Sequence, residues 1–493
     1  MSGFNRLLQN SIANIINGFS NVILGIIISP FLLKKLSIDE FSLWSICLQA
    51  GIAISIFAMA GQITVGRFTS KIKYQNNANE FERLINNYFN IVFCLFIFCL
   101  FTISIVTFHF EDIFSSTPEY ILFESQIAFI LIAMSFALGI FSTIFIGYFI
   151  GIEKNHITAK INIVSRIFIG VFIVLFAEHG LIAIASIYFA INLVSYLFLY
   201  KQFKKVEKHT FKFGIEGKID DLIKFFAGLT IWNVAQFLIS GIGVFVVSIY
   251  DFDNLAFFVL AMTMVNAIVG LLGAVVNPVI QPIVKLNEAG KHKLVDELIL
   301  SLSLIFSLIV LTGVNISGYL SLFIMQIWVG SENGLLSNQF FNFLLVAFSI
   351  RMVIAPYGMK LVANAQQLKI AHYPIIEGML NLAFSLYFVQ QYGAIGVAYA
   401  TLLSALIIML VYAIKYTRET SLRGKTVHIF IAFILLPIVC MVTVYLVQEL
   451  DAKKRFYLSL TQLLALLPIG YCLKKHIIKM KGIVNETMPV KLS

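Results

Sequence analysis

The chain has 493 residues, of which 59% are hydrophobic and only 12% are charged. In soluble proteins about a quarter of residues are charged, so the composition and the mean hydropathy of +0.92 exclude a water-soluble globular protein. The net charge of +10 does not indicate a nucleic-acid partner, because the basic residues lie between apolar stretches, where membrane topology accounts for them.

Apolar runs of about twenty residues, long enough to cross a hydrocarbon core of about 30 Å as a helix, recur along the chain. The sequence therefore predicts an all-α polytopic membrane protein with about 14 transmembrane helices. The predicted helices span 12–33, 42–63, 87–108, 125–150, 157–177, 181–200, 223–249, 256–283, 297–327, 338–362, 370–389, 394–414, 427–447 and 456–473. The first run has no small-residue cleavage site after it, so we expect it to be retained.

The predicted helices divide into two sets of six around a lysine-rich segment. Acidic turns with Asp39 and Glu40 after the first helix, and Asp251 and Asp253 after the seventh, lie about 215 residues apart, as expected for a repeat. Six helices per half return the chain to the same side, which favours parallel repeats. The predicted domains are an N-terminal lobe (1–200), a basic cytoplasmic linker (201–222), a C-terminal lobe (223–418), and two accessory helices with a cytoplasmic tail (419–493).

Three ionisable residues lie at membrane depth, where a charge costs at least a few kcal/mol and is a candidate for function. Arg351 in the tenth predicted helix and Glu377 in the eleventh lie at similar depth, so they can pair. Arg166 lies deep in the fifth helix, with no acidic residue inside the N-terminal lobe to neutralise it. The excess of arginine suits a diphosphate group, whereas a structural ion pair or an arginine that reaches the membrane surface is the alternative interpretation.

Amide side chains recur at helical spacing on several predicted helices, and they are further candidates for substrate binding. They are Asn14, Asn17 and Asn21 in the first helix, Asn233 and Gln236 in the seventh, Asn266 in the eighth, and Asn381 in the eleventh. Amides donate and accept hydrogen bonds, so they suit sugar hydroxyls and diphosphate oxygens. Hydrogen bonding between helices is the alternative role.

Several stretches resemble the Wzx-type polysaccharide flippases of the multidrug/oligosaccharidyl-lipid/polysaccharide exporter superfamily. They are FSLWSICLQA, GQITVGRFTSK, FIGYFIGIEKNHITAKINIVSR, FIMQIWVG, PYGMKLVANAQQLKI and QQYGAIGVAYATLLS. The resemblance implies two six-helix lobes around a central cavity, two C-terminal helices, and outward movement of undecaprenyl-diphosphate-linked repeat units by alternating access. It also implies a bacterial inner-membrane protein of O-antigen, lipopolysaccharide, capsule or exopolysaccharide biosynthesis.

The resemblance implies a lipid-linked oligosaccharide and membrane lipids as partners, with a polysaccharide polymerase and a chain-length regulator as further candidates. An ion-coupled multidrug exporter of related architecture is the first alternative, and a membrane polymerase or glycosyltransferase the second. We expect no enzyme activity, because no HExxH pattern or glycine-rich phosphate loop is present. The five cysteines lie in apolar runs and show no CxxC spacing, which predicts neither a disulfide framework nor a metal site. We expect no cofactor. The coupling ion, H+ or Na+, is left open.

The distribution of basic residues predicts that both termini are cytoplasmic. With this orientation 29 of the 35 Lys and Arg residues lie on or near the inner side, five lie outside, and Arg351 lies within a helix. Reporter fusions after His209 and Ser493 should therefore be cytoplasmic, and a fusion after Thr117 should be external. An external reporter at His209 would contradict the two-lobe arrangement.

Overall fold

The computed structural model describes residues 25–74, 78–207, 210–217, 219–276, 280–363 and 371–420, residue 422, and scattered positions beyond it. All regular structure in these residues is helical. The α-helices are α1 (25–35), α2 (Ile38–Tyr74), α3 (Ala78–Phe108), α4 (Phe110–Ile113), α5 (Leu122–Gly151), α6 (Asn155–Phe176), α7 (Leu181–Val206), α8 (Asp220–Ser240), α9 (Ile242–Tyr250), α10 (Leu255–Val276), α11 (Ile280–Glu288), α12 (His292–Val329), α13 (Ser331–Ala363), α14 (His372–Tyr392) and α15 (Ala394–Glu419). Short 3-10 helices cover Glu119–Ile121, Ala177–His179 and Phe252–Asn254.

Within the described ranges, ten helices are long and apolar enough to cross a membrane, which supports the predicted multi-pass architecture. The helix α14 is not among them, because its polar side chains lower its mean hydropathy. The helix predicted at 223–249 is divided into α8 and α9 at Gly241, and the helix predicted at 256–283 gives α10 and the separate α11. The helices predicted at 427–447 and 456–473 lie mostly outside the described residues, so the count of fourteen stays a prediction.

A capping box fixes the start of α2. The Glu40 backbone N–H donates to Ser37 Oγ at 3.1 Å, and the Ser37 N–H donates to Glu40 Oε2 at 2.7 Å. These bonds satisfy backbone groups that the first turn of a helix leaves without partners. Glu40, one of the paired acids noted in the sequence, therefore has a local structural role.

The long helices α2 and α5 pack closely because small residues line their contact. A Cβ atom added to Gly147 would lie 2.5 Å from Val65 Cβ, and one added to Gly151 would lie 2.7 Å from the Gly66 carbonyl oxygen. Only glycine at these positions lets the two backbones approach so closely, as in helix pairs of other membrane proteins. The contact forms the centre of a compact unit that comprises residues 27–256.

The helices α8 and α9 belong to this same unit, although the sequence assigned them to the C-terminal lobe. Gln49 Nε2 of α2 donates to the Gly241 carbonyl oxygen at 3.0 Å, and Asn233 Nδ2 of α8 donates to the Ile56 carbonyl oxygen at 3.2 Å. A Cβ atom at Gly241 would lie 2.4 Å from Gln49 Nε2, so a larger residue at this break between α8 and α9 would displace the Gln49 side chain from its hydrogen bond. The predicted lobe boundaries themselves stay a prediction.

The second compact unit comprises residues up to Ile26 and from Phe257 onward. In its described part, α12 packs on α13, α14 packs on α15, and α13 also packs on α15. Fully buried Val346, Ile350 and Ala405 lie in the apolar core of this unit. Trp328 Nε1 of α12 donates to the Ile26 carbonyl oxygen at 2.7 Å, which attaches the start of α1 to this unit.

Asparagines of α3 bind the backbone of the segment 210–217, which belongs to the predicted basic linker. The Asn87 side chain accepts from the Glu216 N–H and donates to the Glu216 carbonyl, both at 2.8 Å. The Asn90 side chain likewise accepts from the Gly214 N–H at 3.2 Å and donates to the Gly214 carbonyl at 3.1 Å. Asn86 Oδ1 accepts from the Lys212 N–H at 3.1 Å. We call Asn86, Asn87 and Asn90 the asparagine ladder.

Aromatic packing holds the same segment on α3. The Phe211 ring stacks on Phe89 with centroids 4.9 Å apart, and the Phe213 ring meets Phe89 and Phe93 edge to face at 5.4 and 5.2 Å. Such pairs add about 0.5–1.5 kcal/mol each beyond the area that they bury. The described part of the linker is therefore docked on α3 by backbone hydrogen bonds and by aromatic contacts.

The asparagine ladder can be tested by limited proteolysis. Asn87→Ala removes two hydrogen bonds worth about 1 kcal/mol each, so local opening of the segment should increase on the order of 5–30-fold. Trypsin cleavage after Lys212 should accelerate accordingly. Asn79→Ala, at an exposed position in the first turn of the same helix, is the matched control and should leave the cleavage rate unchanged. Equal rates in both variants would contradict the ladder.

Candidate functional site

The buried centre of the C-terminal unit is an ion pair between α13 and α14. Arg351 Nε lies 2.6 Å from Glu377 Oε1, and their side chains are only 13% and 8% exposed. This contact confirms the pairing that the matched depths of the two residues predicted. Its role in transport stays a prediction.

Two further contacts fix the position of the Arg351 guanidinium. Its Nη2 donates to the Thr401 carbonyl oxygen of α15 at 3.4 Å, and its Cζ lies 4.8 Å from the centre of the Phe348 ring. The guanidinium of one helix therefore contacts both neighbouring helices of the unit. Arg351 Nη1 is buried and has no hydrogen-bond partner among the described residues.

Glu377 begins a polar row along α14. Asn381 and Ser385 follow it one and two turns later, and all three are buried, at 6%, 1% and 0% exposure. Residues four apart lie on one face of a helix, so the carboxylate, amide and hydroxyl groups form a continuous polar stripe inside the unit. A buried polar stripe beside a charged pair is a candidate site for a polar ligand, an ion or a proton.

A second buried ion pair was missed in the sequence. Lys360 Nζ of α13 lies 2.5 Å from Asp296 Oδ1 of α12, with side chains 14% and 3% exposed. The Tyr416 hydroxyl donates to the Asp296 carbonyl oxygen at 2.9 Å. Asp296 lies just before the predicted start of its membrane helix at 297, where a charged residue is typical of a loop. The available signal was that apolar residues, Leu294 and Val295 before and Leu298 to Leu300 after, directly flank Asp296 and Glu297.

A tyrosine–glutamate hydrogen bond recurs in both units. The Tyr357 hydroxyl of α13 donates to Glu419 Oε2 at the end of α15, at 2.6 Å. In the other unit, the Tyr148 hydroxyl of α5 donates to Glu207 Oε1, just after α7, at 2.8 Å. Lys73 Nζ also lies 2.5 Å from Glu207 Oε1. The two tyrosines precede their glutamates by 62 and 59 residues, so the bonds are equivalent in sequence position.

Arg166 lies near the middle of α6 in the unit of residues 27–256, and its side chain is exposed. It makes no ion pair within the part of the chain that the structure describes. It is close enough to Tyr188 and Tyr196 of α7 to interact with both electrostatically. The Tyr188 ring in turn stacks on Phe136, with centroids 5.9 Å apart. Arg166 is thus an exposed charged group in the middle of a helix that is long and apolar enough to cross a membrane.

The remaining predicted residues differ in burial and in hydrogen-bond partners. Asn233 is half-buried and joins α8 to α2, which supports the interhelical role for that amide. The side chains of Gln236 and Asn266 are exposed, in different units. The first-helix candidates Asn14, Asn17 and Asn21 lie outside the described residues.

The ion pair can be tested by exchanging its two charges. Arg351→Glu and Glu377→Arg, each alone, place two like charges in one buried site. Each should cost at least the roughly 3–5 kcal/mol of removing one partner, which should sharply reduce folded protein. The double exchange should restore the yield, measured by size-exclusion chromatography of the detergent-purified protein. The exposed pair Lys35–Glu178 is the matched control, because exposed pairs contribute only about 0–1 kcal/mol. Normal yields of both buried single variants would contradict a structural role.

The sequence matches no protein-family model and no curated protein, but its structure is similar to solved transporters. The lipid II flippase MurJ, in an inward closed conformation, aligns with a TM-score of 0.69 and 16% identity over 93% of this chain and 99% of that chain. An inward-facing multidrug resistance MATE family transporter of the MOP superfamily aligns with a TM-score of 0.55 and 12% identity over 82% and 96%. The protein therefore has the all-helical fold shared by MurJ and MATE transporters.

Proposed function

We propose that the protein is a flippase of the bacterial cytoplasmic (inner) membrane, with both termini in the cytoplasm. Its proposed substrate is an undecaprenyl-diphosphate-linked oligosaccharide repeat unit, moved from the cytoplasmic to the outer leaflet by alternating access of two six-helix lobes. The product would serve O-antigen, capsule or exopolysaccharide synthesis, with a polysaccharide polymerase and a chain-length regulator as partners. The similarity to MurJ, a lipid II flippase, favours a lipid-linked substrate.

The observation that carries this proposal is the exposed Arg166 in the middle of α6. A cation at membrane depth costs at least a few kcal/mol, and no described acidic residue pairs with it. An anionic head group would compensate the charge, and a guanidinium can hold two phosphate oxygens through parallel N–H donors.

The ion pair supports a different role for Arg351 from that of Arg166. Because Glu377 neutralises Arg351 at 2.6 Å, Arg351 contributes little net positive charge while the pair is closed. We therefore propose Arg166 as the main cationic contact for the diphosphate. We propose that the polar row of Glu377, Asn381 and Ser385 takes part in the transport cycle without contacting the substrate directly.

An ion-coupled multidrug exporter is the second candidate, because MATE transporters share the fold and Glu377 is a buried carboxylate. The third candidate, a polymerase or glycosyltransferase, needs a free catalytic acid. The Tyr120 hydroxyl donates to Asp39 at 2.6 Å, Glu40 forms the capping box, and Asn254 Nδ2 donates to Asp251 at 2.9 Å. Three of the four acids in the two turns therefore already have structural partners, which weighs against the enzyme.

The charge at position 166 distinguishes the flippase from the exporter. Arg166→Gln should lower surface-polysaccharide output at unchanged protein level, and Arg166→Lys should recover part of it, because lysine keeps the charge but lacks the planar fork. Lys160→Gln, at an exposed position of the same helix, is the matched control and should have no effect. Normal output from Arg166→Gln, together with loss of drug resistance in Glu377→Gln, would favour the exporter.

A further inference from the structure

We propose that the Arg351 guanidinium occupies the cation position of a buried oxygen-lined site, so that the protein excludes Na+ at Glu377. Removal of the guanidinium should uncover an alkali-cation site at the same place. The inference concerns the ion chemistry of the unit from Phe257 onward and goes beyond the proposed carriage of lipid-linked sugar. It stands or falls independently of the substrate.

Oxygen atoms from two neighbouring helices lie against the Arg351 guanidinium. Arg351 Nε holds Glu377 Oε1 of α14 at 2.6 Å, and Nη2 holds the Thr401 carbonyl oxygen of α15 at 3.4 Å. The side chain of Asn381, one turn further along α14, extends the same buried face. A carboxylate, a backbone carbonyl and an amide are oxygen donors of the kind that hard cations prefer. The site therefore has cation-binding groups, but a side-chain cation occupies it.

The position of the Arg351 guanidinium is fixed from several sides. Phe348 packs against it at 4.8 Å, and only 13% of the Arg351 side chain is exposed. Its buried Nη1 has no acceptor within the described part of the chain, so no described oxygen offsets its two N–H groups. A guanidinium held in this way cannot leave without losing its only close carboxylate partner there.

The repulsion between the Arg351 guanidinium and a cation bound at Glu377 would be large. Two positive charges about 4 Å apart, at an effective dielectric of about 20, repel strongly enough to weaken binding on the order of a thousandfold. A carboxylate that already has a guanidinium partner also gains little from a second cation. Na+ should therefore not compete at physiological concentrations while Arg351 is present. Without Arg351, the Glu377 carboxylate is buried and uncompensated, and either a proton or a bound cation can neutralise it. The comparison of Na+ with choline separates these two outcomes.

The experiment measures thermal unfolding of the purified full-length protein by intrinsic tryptophan fluorescence, in NaCl and in choline chloride at equal ionic strength. The wild type and Arg351→Lys should melt at the same temperature in both salts. Arg351→Gln should melt higher in Na+, by about 3 °C or more at saturating salt, because a ligand that binds only the folded state stabilises it. The double variant Arg351→Gln/Glu377→Gln should lose this difference, since it lacks the carboxylate.

Poor folding of Arg351→Gln would still give a decisive result. The variant should then be recovered as a monodisperse protein in Na+ and not in choline, whereas the double variant should be recovered equally in both. Equal behaviour of Arg351→Gln in the two salts would overturn the proposal, as would its failure to fold in either salt. A Na+-dependent shift in the wild type that Glu377→Gln abolishes would overturn it as well.

Discussion

A charge buried among membrane helices must have a partner, and this constraint organises the described C-terminal unit. Arg351 joins α13 to both α14 and α15, and Lys360 joins α13 to α12. Both basic residues of α13 are therefore neutralised by carboxylates on neighbouring helices. Since removing one partner leaves the other buried and charged, each contact fixes the register of its helices more than it adds to their stability.

The unit of residues 27–256 meets the same constraint with fewer buried charges. Glycines let α2 and α5 approach closely, and side-chain amides bind backbone carbonyls between α8 and α2. The central cation of this unit, Arg166, is not neutralised by any described residue of the chain. This contrast between Arg351 and Arg166 supports the proposed division of roles, in which one arginine stabilises the helices and the other meets the anionic substrate.

The sequence predicted the helical membrane architecture because each hydrophobic run is itself a local signal. It predicted the Arg351–Glu377 contact because both residues interrupt such runs at matched depth. It missed Lys360–Asp296, because charges near helix ends look like loop charges until the packing of α12 on α13 is known. It also missed the division at Gly241, since a continuous apolar run gives no sign that a side chain from α2 needs room there. Amide roles could not be predicted at all, because Asn233 and Gln236 lie one turn apart yet differ in burial and partners.

The asparagine ladder on α3 contacts the linker through its backbone, at Lys212, Gly214 and Glu216. Every residue except proline presents the same N–H and C=O groups, so these hydrogen bonds do not depend on the side chains of Lys212 and Glu216. Gly214 differs, because its φ of +119° favours glycine. The hydrogen bonds do depend on spacing, because alternate residues of the segment must meet Asn86, Asn90 and Asn87. Substitutions of Lys212 and Glu216 should thus be tolerated in evolution far better than the insertion or deletion of one residue. The described segment of the linker is constrained in length and register, and in sequence chiefly at Phe211, Phe213 and Gly214.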